Sequence, residues 1–243
     1  MKAVCLLSGG LDSTTVLYYA LHKGYRPAAL TLHYGQLHHK EIDFAKRIAS
    51  RLGIAHFIIP ISLPWGGSSL IDKSIPLPKN RLPTSEVGNR LMKIPSTYVP
   101  FRNSIFLSFA VSAAEALKAD RVFIGANALD YSGYPDCRPE YFRAFEKTIA
   151  AGTKAGVEGK RIKIEAPLLR MSKKQIVLLG RKLGVPFEKT WSCYQGGKNP
   201  CGVCDSCQLR AKGFQEAGVN DSLMKIRNSK HEIRGKFEIR KNK

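Results

Sequence analysis

Six residues near the N-terminus, Ser8-Gly9-Gly10-Leu11-Asp12-Ser13, put two glycines, two hydroxyls and a carboxylate into one short turn. They follow an apolar run, Ala3 to Leu7, which reads as a buried strand. They precede Thr14 to Leu21, which reads as a helix ending near Gly24. A strand, a glycine turn and a helix N-terminus together make an anion site, because backbone N–H groups point outward and the helix dipole favours negative charge. Glycine also lets the backbone come close to a phosphate. The spacing is neither G-x-x-x-x-G-K-[ST] nor G-x-G-x-x-G. The competing reading is an ordinary glycine-rich turn, but strand, turn and helix signals all agree.

A second chemical cluster lies near the other end. Cys193, Cys201, Cys204 and Cys207 give C-x7-C-x2-C-x2-C in a glycine-rich stretch. Four thiolates at this spacing suit a closed tetrahedral Zn²⁺ site, one ion per chain, structural because no coordination position is left open. Disulfides are one alternative, although nothing points to an oxidising compartment. An iron–sulfur cluster is another, but the ferredoxin-type run continues x3-C-P, and no cysteine follows Cys207. Of the two other cysteines, Cys5 falls in the first strand as a core residue, and Cys137, with no base assignable to it, reads as a packing or pocket-wall residue.

These clusters need a scaffold, and 243 residues that are 44% hydrophobic suffice for one large domain with a small appendage. No run of about 18 apolar residues is present, so no membrane-spanning helix is expected. The N-terminus enters a strand directly, which argues against a signal peptide. The expected location is the cytoplasm. The formal charge is +20. The stretch Lys225 to Lys243 holds eight Lys and Arg against two Glu, a net +6 that leaves +14 for the rest. Such charge attracts ATP, carboxylates or nucleic acid. It also fits a merely solvated surface.

Apolar runs alternate with helical ones. Further strands are expected at Pro27–Tyr34, Ile54–Ile61, Arg121–Ala126 and Arg161–Ala166. Helices are expected at His38–Leu52, Phe101–Ala119, Pro139–Ala151 and from the Ser172 cap, with Gln175 in the capping-box position, to Gly184. This alternation argues for an α/β fold, a doubly wound parallel sheet. Ligands then sit beyond the carboxyl ends of the strands. The Ser8–Ser13 loop, His33-Tyr34-Gly35-Gln36 and Gly125-Ala126-Asn127 all fall at such ends. Pro60 to Pro100 carries seven of the 13 prolines and reads as a lid or subunit contact.

Two more stretches carry chemistry. Val99-Pro100-Phe101-Arg102-Asn103 opens the long helix with an arginine able to pair with phosphates. Asp130 and Asp136, in Gly125 to Pro139, could each accept from adjacent ring N–H groups of a guanine-like edge, or simply cap turns.

Taken in order, the Ser8–Ser13 loop, His33–Gln36, Val99–Asn103, Asp130–Arg138 and the cysteine cluster resemble the 7-cyano-7-deazaguanine synthase family over residues 1 to 217. The loop itself resembles the pyrophosphate loop of enzymes that cleave ATP between its α and β phosphates. The resemblance implies a Rossmann-like catalytic domain over 1–190, a zinc-binding segment with a C-terminal helix over 191–217, and a basic tail over 218–243. It implies an ATP-dependent ligase that turns 7-carboxy-7-deazaguanine and ammonia into 7-cyano-7-deazaguanine through an adenylated carboxylate and an amide. Asp12 and Ser13 would be catalytic. Ser8, Gly9, Gly10, Leu11, Asp12, Ser13, Thr14, Thr15, Arg102 and Gly125 would bind the nucleotide, with Mg²⁺ accompanying ATP. Tyr34, Gln36, Asp130 and Asp136 would bind the base. A homodimer is expected, and tRNA is not required. Two other readings compete. Related pyrophosphate-loop enzymes thiolate tRNA, and a zinc-ribbon nucleic-acid module would explain the charge and the cysteines but leave the loop idle.

Overall fold

The computed structural model describes residues 1–79, 94–129 and 134–224. Its centre is a five-stranded, wholly parallel sheet of β1 (Lys2–Leu6), β2 (Arg26–His33), β3 (His56–Pro60), β4 (Arg121–Phe123) and β5 (Lys163–Glu165), in the order β3-β2-β1-β4-β5. The chain winds outward from β1 to β3, then crosses back to β4 on the other side of β1. That reversal opens a crevice at the carboxyl ends of β1 and β4, where open α/β sheets bind ligands.

The pleat of β1 explains the two layers. Ala3, Cys5 and Leu7 face a core built with α1 (Leu11–His22), α2 (Lys40–Arg51), α6 (Lys173–Lys182) and α7 (Asp205–Ala217). Val4 and Leu6 face the opposite core, built with α3 (Arg102–Leu117) and α4 (Pro139–Gly152). Both faces being covered, the strands read as continuous apolar runs rather than alternating ones. A short helix, α5 (Lys154–Val157), capped by Thr153, has no counterpart in the periodic pattern. Among the described residues no helix is long and apolar enough to cross a membrane.

Element boundaries differ from the expected ones for local reasons. The third strand begins at His56 rather than Ile54, because the Ile54 N–H closes helix α2 on the Ala49 carbonyl. Helix α2 starts at Lys40 rather than His38, since His38 is packed against Gly196 of the cysteine segment. The fourth strand stops at Phe123, and Ile124 to Ala126 turn into the crevice wall. The capping box at Ser172 and Gln175 forms as expected.

Candidate functional site

The loop between β1 and α1 builds the floor of the crevice. Helix α1 has Gly10 at its N-cap and no side-chain cap. Its first N–H groups are therefore presented outward for an anion. The loop's own hydroxyls hold its shape. The Ser8 N–H donates to Ser13 Oγ at 3.2 Å, the Gly10 N–H donates to Ser8 Oγ at 3.2 Å, and the two hydroxyls lie 3.0 Å apart. Gly9 sits at φ +84, and a Cβ there would lie 2.3 Å from the Glu41 carbonyl and 2.6 Å from the Ala45 nitrogen. Gly125, at the end of β4, faces the same problem, with Ser13 N only 2.9 Å from its would-be Cβ. These two glycines let α1 and α2 close directly on the loop.

The cavity beyond the loop has a volume of about 230 Å³. It collects Ser8, Gly10, Leu11, Asp12, Ser13, Tyr34, Gln36, Arg102 and Gly125 from four separate stretches of sequence. Gly9 lies in the floor behind them. Thr14 and Thr15, expected to touch the nucleotide, are wholly buried inside α1, where the Thr15 hydroxyl donates to the Leu11 carbonyl. Gln36 accepts the Tyr34 N–H at 2.9 Å and is thereby fixed at the wall. Arg102 donates to the Tyr34 hydroxyl at 3.2 Å, and its guanidinium lies 5.7 Å from the Phe106 ring centre. Burial raises the Tyr34 hydroxyl above the usual phenol range.

Asp136 is not among the residues that line the cavity. It lies beneath the start of α3, where one carboxylate oxygen accepts the Asn103 N–H at 3.1 Å. That bond caps a helix whose first residue is the cation Arg102. Burial raises the Asp136 carboxyl, and the Asn103 N–H and Arg102 oppose the shift. Asp130 lies outside the described residues. Cys137 is buried at the cavity wall, accepts from Asn103 Nδ2 at 3.3 Å, and is pushed up to about 12 by burial and by Asp136, so it remains a thiol.

Lys173 was not anticipated. Its Nζ donates to both Asp12 oxygens, at 2.8 and 2.9 Å, with the two side chains only 10% and 20% exposed. A readable signal existed. Lys173 and Lys174 open α6, where the dipole favours acids, so a cation buried there implies an anion opposite. Asn127 places this turn by donating to the Leu168 and Met171 carbonyls at 2.9 and 2.6 Å.

The four cysteine sulfurs lie within 4.8 Å of one another. Cys201 and Cys207 Sγ are 3.9 Å apart, close to the ~3.8 Å that a tetrahedron with metal–sulfur bonds of about 2.3 Å requires. Backbone N–H groups of Cys201 and Gln195 donate to Cys193 Sγ. Hydrogen bonds from the Cys204 and Cys207 thiols, and then these N–H groups, hold the Cys193 thiol far below its ordinary range. The donor set therefore fits a thiophilic metal ion.

This segment also touches the loop. The Trp191 N–H donates to the Gly9 carbonyl at 2.9 Å. Lys40 lies 3.9 Å from the Trp191 ring centre and donates to the Gly197 and Lys198 carbonyls at 2.7 Å each. Arg210, on α7 and 2% exposed, pairs with Asp221 and donates to the Thr190 hydroxyl and the Phe187 carbonyl. The metal-type cluster and the anion floor are thus one connected unit.

Comparison with known proteins finds relatives more than half identical to this chain. A 7-cyano-7-deazaguanine synthase of Trichodesmium erythraeum is 54% identical over 226 residues, covering 92% of this chain and 100% of that protein. One from Picrophilus torridus is 53% identical over 222 residues, covering 91% of this chain and 90% of its own length. Among solved structures, a predicted subunit of tRNA methyltransferase from Methanocaldococcus jannaschii aligns over 74% of each chain with a TM-score of 0.46 and 17% identity. The family model described as queuosine biosynthesis protein QueC matches residues 2–218. With an anion floor at the β1–β4 crevice, a four-cysteine cage bonded to it, and that match spanning both, the chain belongs to the QueC family of queuosine biosynthesis proteins.

Proposed function

We propose that this chain is an ATP-dependent ligase that converts 7-carboxy-7-deazaguanine and ammonia to 7-cyano-7-deazaguanine. The observation that carries it is the uncapped N-terminus of α1 opening into a cavity shared with Arg102, Tyr34 and Lys173, in a chain more than half identical to named synthases. A carboxylate becomes an electrophile only when its oxygen is made a good leaving group, and adenylation supplies one. The N–H groups at the start of α1, which has no side-chain cap, meet the departing pyrophosphate. They act by electrostatic preorganisation, since they already point at the charge. Asp12 would hold the Mg²⁺ that accompanies ATP, an ion that would neutralise phosphate charge, and Lys173, bonded to Asp12, adds a cation beside them. Arg102 faces the nucleotide from α3. Tyr34 and Gln36 form the wall against the deazaguanine.

Cys193, Cys201, Cys204 and Cys207 would hold Zn²⁺, an ion that would cross-link this segment. The domain division follows from the same roles: 1–190 catalytic, 191–217 zinc-binding, 218–243 a basic tail. The substrate is the free base, so tRNA is not required and ammonia is the nitrogen source. Sulfur transfer to tRNA and passive nucleic-acid binding leave the ligase-type relatives unexplained. ATP–pyrophosphate exchange tests the reading. The expected result is exchange that needs the deazapurine acid and is unchanged by added tRNA. Exchange that occurs only with tRNA overturns it.

The protein is proposed to be a homodimer whose contact includes Trp65 and Phe101, both more than 60% exposed. Sedimentation equilibrium should give twice the 27.0 kDa chain mass. A chain mass that stays single at tens of micromolar overturns this.

A further inference from the structure

Making a nitrile from an amide requires removal of protons from nitrogen, and the phosphate-binding groups described above do not accept them. We infer that Glu41 is the proton acceptor for this step, an assignment that rests on the proposed ligase reaction. Glu41 lies in the first turn of α2 and lines the cavity. Its carbonyl is the atom packed against Gly9, so its backbone is fixed to the loop that holds the leaving phosphates. Two carboxylates line the cavity among the described residues. Asp12 is paired on both oxygens with Lys173. Glu41 makes no hydrogen bond or ion pair with its carboxyl among the described residues.

The other groups facing the cavity are less suited. Cys137 and Tyr34 are held protonated by burial, and Arg102 and Lys173 are cations. His38 has its Nδ1 enclosed and its ring tilted beside Tyr194. Burial pushes the Glu41 carboxyl up to about 8, against the pull of Arg102 from α3 and with a further push from Cys193. A carboxylate so shifted is a far better base than an exposed one and is ionised above about pH 8.

The step balances as follows. ATP adenylates the amide oxygen and pyrophosphate leaves. The activated C=NH2⁺ loses its first, acidic proton to water. The Glu41 carboxylate then takes the remaining proton. The N–H electron pair becomes the third carbon–nitrogen bond, and the carbon–oxygen bond breaks as AMP departs with the former amide oxygen. Nothing is oxidised or reduced.

The test uses full-length wild type, Glu41→Gln and Glu41→Asp, with the deazaguanine amide supplied directly. Glu41→Gln is expected to keep amide-dependent ATP–pyrophosphate exchange within about threefold and to form nitrile about 10²–10⁴-fold more slowly. Wild-type nitrile formation is expected to rise about tenfold per pH unit up to pH 8, a limb absent in Glu41→Gln and partly restored in Glu41→Asp. Nitrile formation at the wild-type rate, or a pH limb kept in Glu41→Gln, overturns the assignment. So does parallel loss of exchange and nitrile at an unchanged melting temperature. Failure of wild type itself to exchange with the acid or the amide sinks the ligase reading instead, so the two failures are told apart.

Discussion

Asp12→Asn lowers acid-dependent ATP–pyrophosphate exchange about 10²–10³-fold, the usual cost of removing one electrostatic contact at a developing charge. Asparagine keeps the size of the side chain, and the backbone of α1 does not depend on the carboxylate. Two roles are lost together. The group that would face Mg²⁺ loses its charge, and Lys173 loses the partner that holds it at 2.8 Å from the loop. Asp12→Ala alone does not separate chemistry from folding, because Lys173 is only 10% exposed and would be left with no acceptor, whereas asparagine keeps one oxygen there. Removing one partner of a largely buried charged hydrogen bond costs about 1–3 kcal/mol. The substitution to asparagine should lower the melting temperature by only a few degrees while exchange collapses. Ser13→Ala, which removes the hydroxyl that accepts the Ser8 N–H, should fall in the same direction. Near-normal exchange by both variants would show that ATP reacts elsewhere.

Cys204→Ser is expected to abolish zinc binding and to destabilise the chain before it affects the chemical step. Wild-type protein should carry one Zn²⁺ per chain and show no iron–sulfur absorption. A closed four-thiolate site contributes folding free energy, on the order of 10 kcal/mol in isolated zinc modules, because the unfolded chain has no preformed cage. Here the consequence reaches the active site by a defined route. Loosening the Cys193–Cys207 segment frees Trp191, whose N–H bonds the Gly9 carbonyl, and frees the Lys40 clamp. Surviving folded Cys204→Ser should therefore show a raised KM for ATP with less change in turnover. Loss of turnover with normal metal content and an unchanged melting temperature would mean that the cysteines do chemistry. Stoichiometric iron in anaerobically purified protein would mean the same.

The sequence by itself determined the parallel sheet, the anion loop and the metal-type cage. Each is a local pattern. A continuous apolar run between helical periods must be covered on both faces, and β1 is, with Cys5 and Leu7 on one side and Val4 and Leu6 on the other. The Ser8–Ser13 turn and the C-x2-C-x2-C spacing declare their chemistry within a few residues. The tertiary structure alone decided which charges meet. Lys173 lies 161 positions from Asp12, and only the packing of α6 beside α1 pairs them. Nothing in the sequence singles out Glu41, an acid in the first turn of a helix. Close approach to Gly9 and burial beside Arg102 made it a cavity group. Asp136 shows the reverse. Its carboxylate suggested a ligand contact, yet the fold turned it under α3 to cap Asn103. Residue type and spacing announce what a side chain is able to do. Its partner, its burial and therefore its charge state depend on which distant segments the core brings against it.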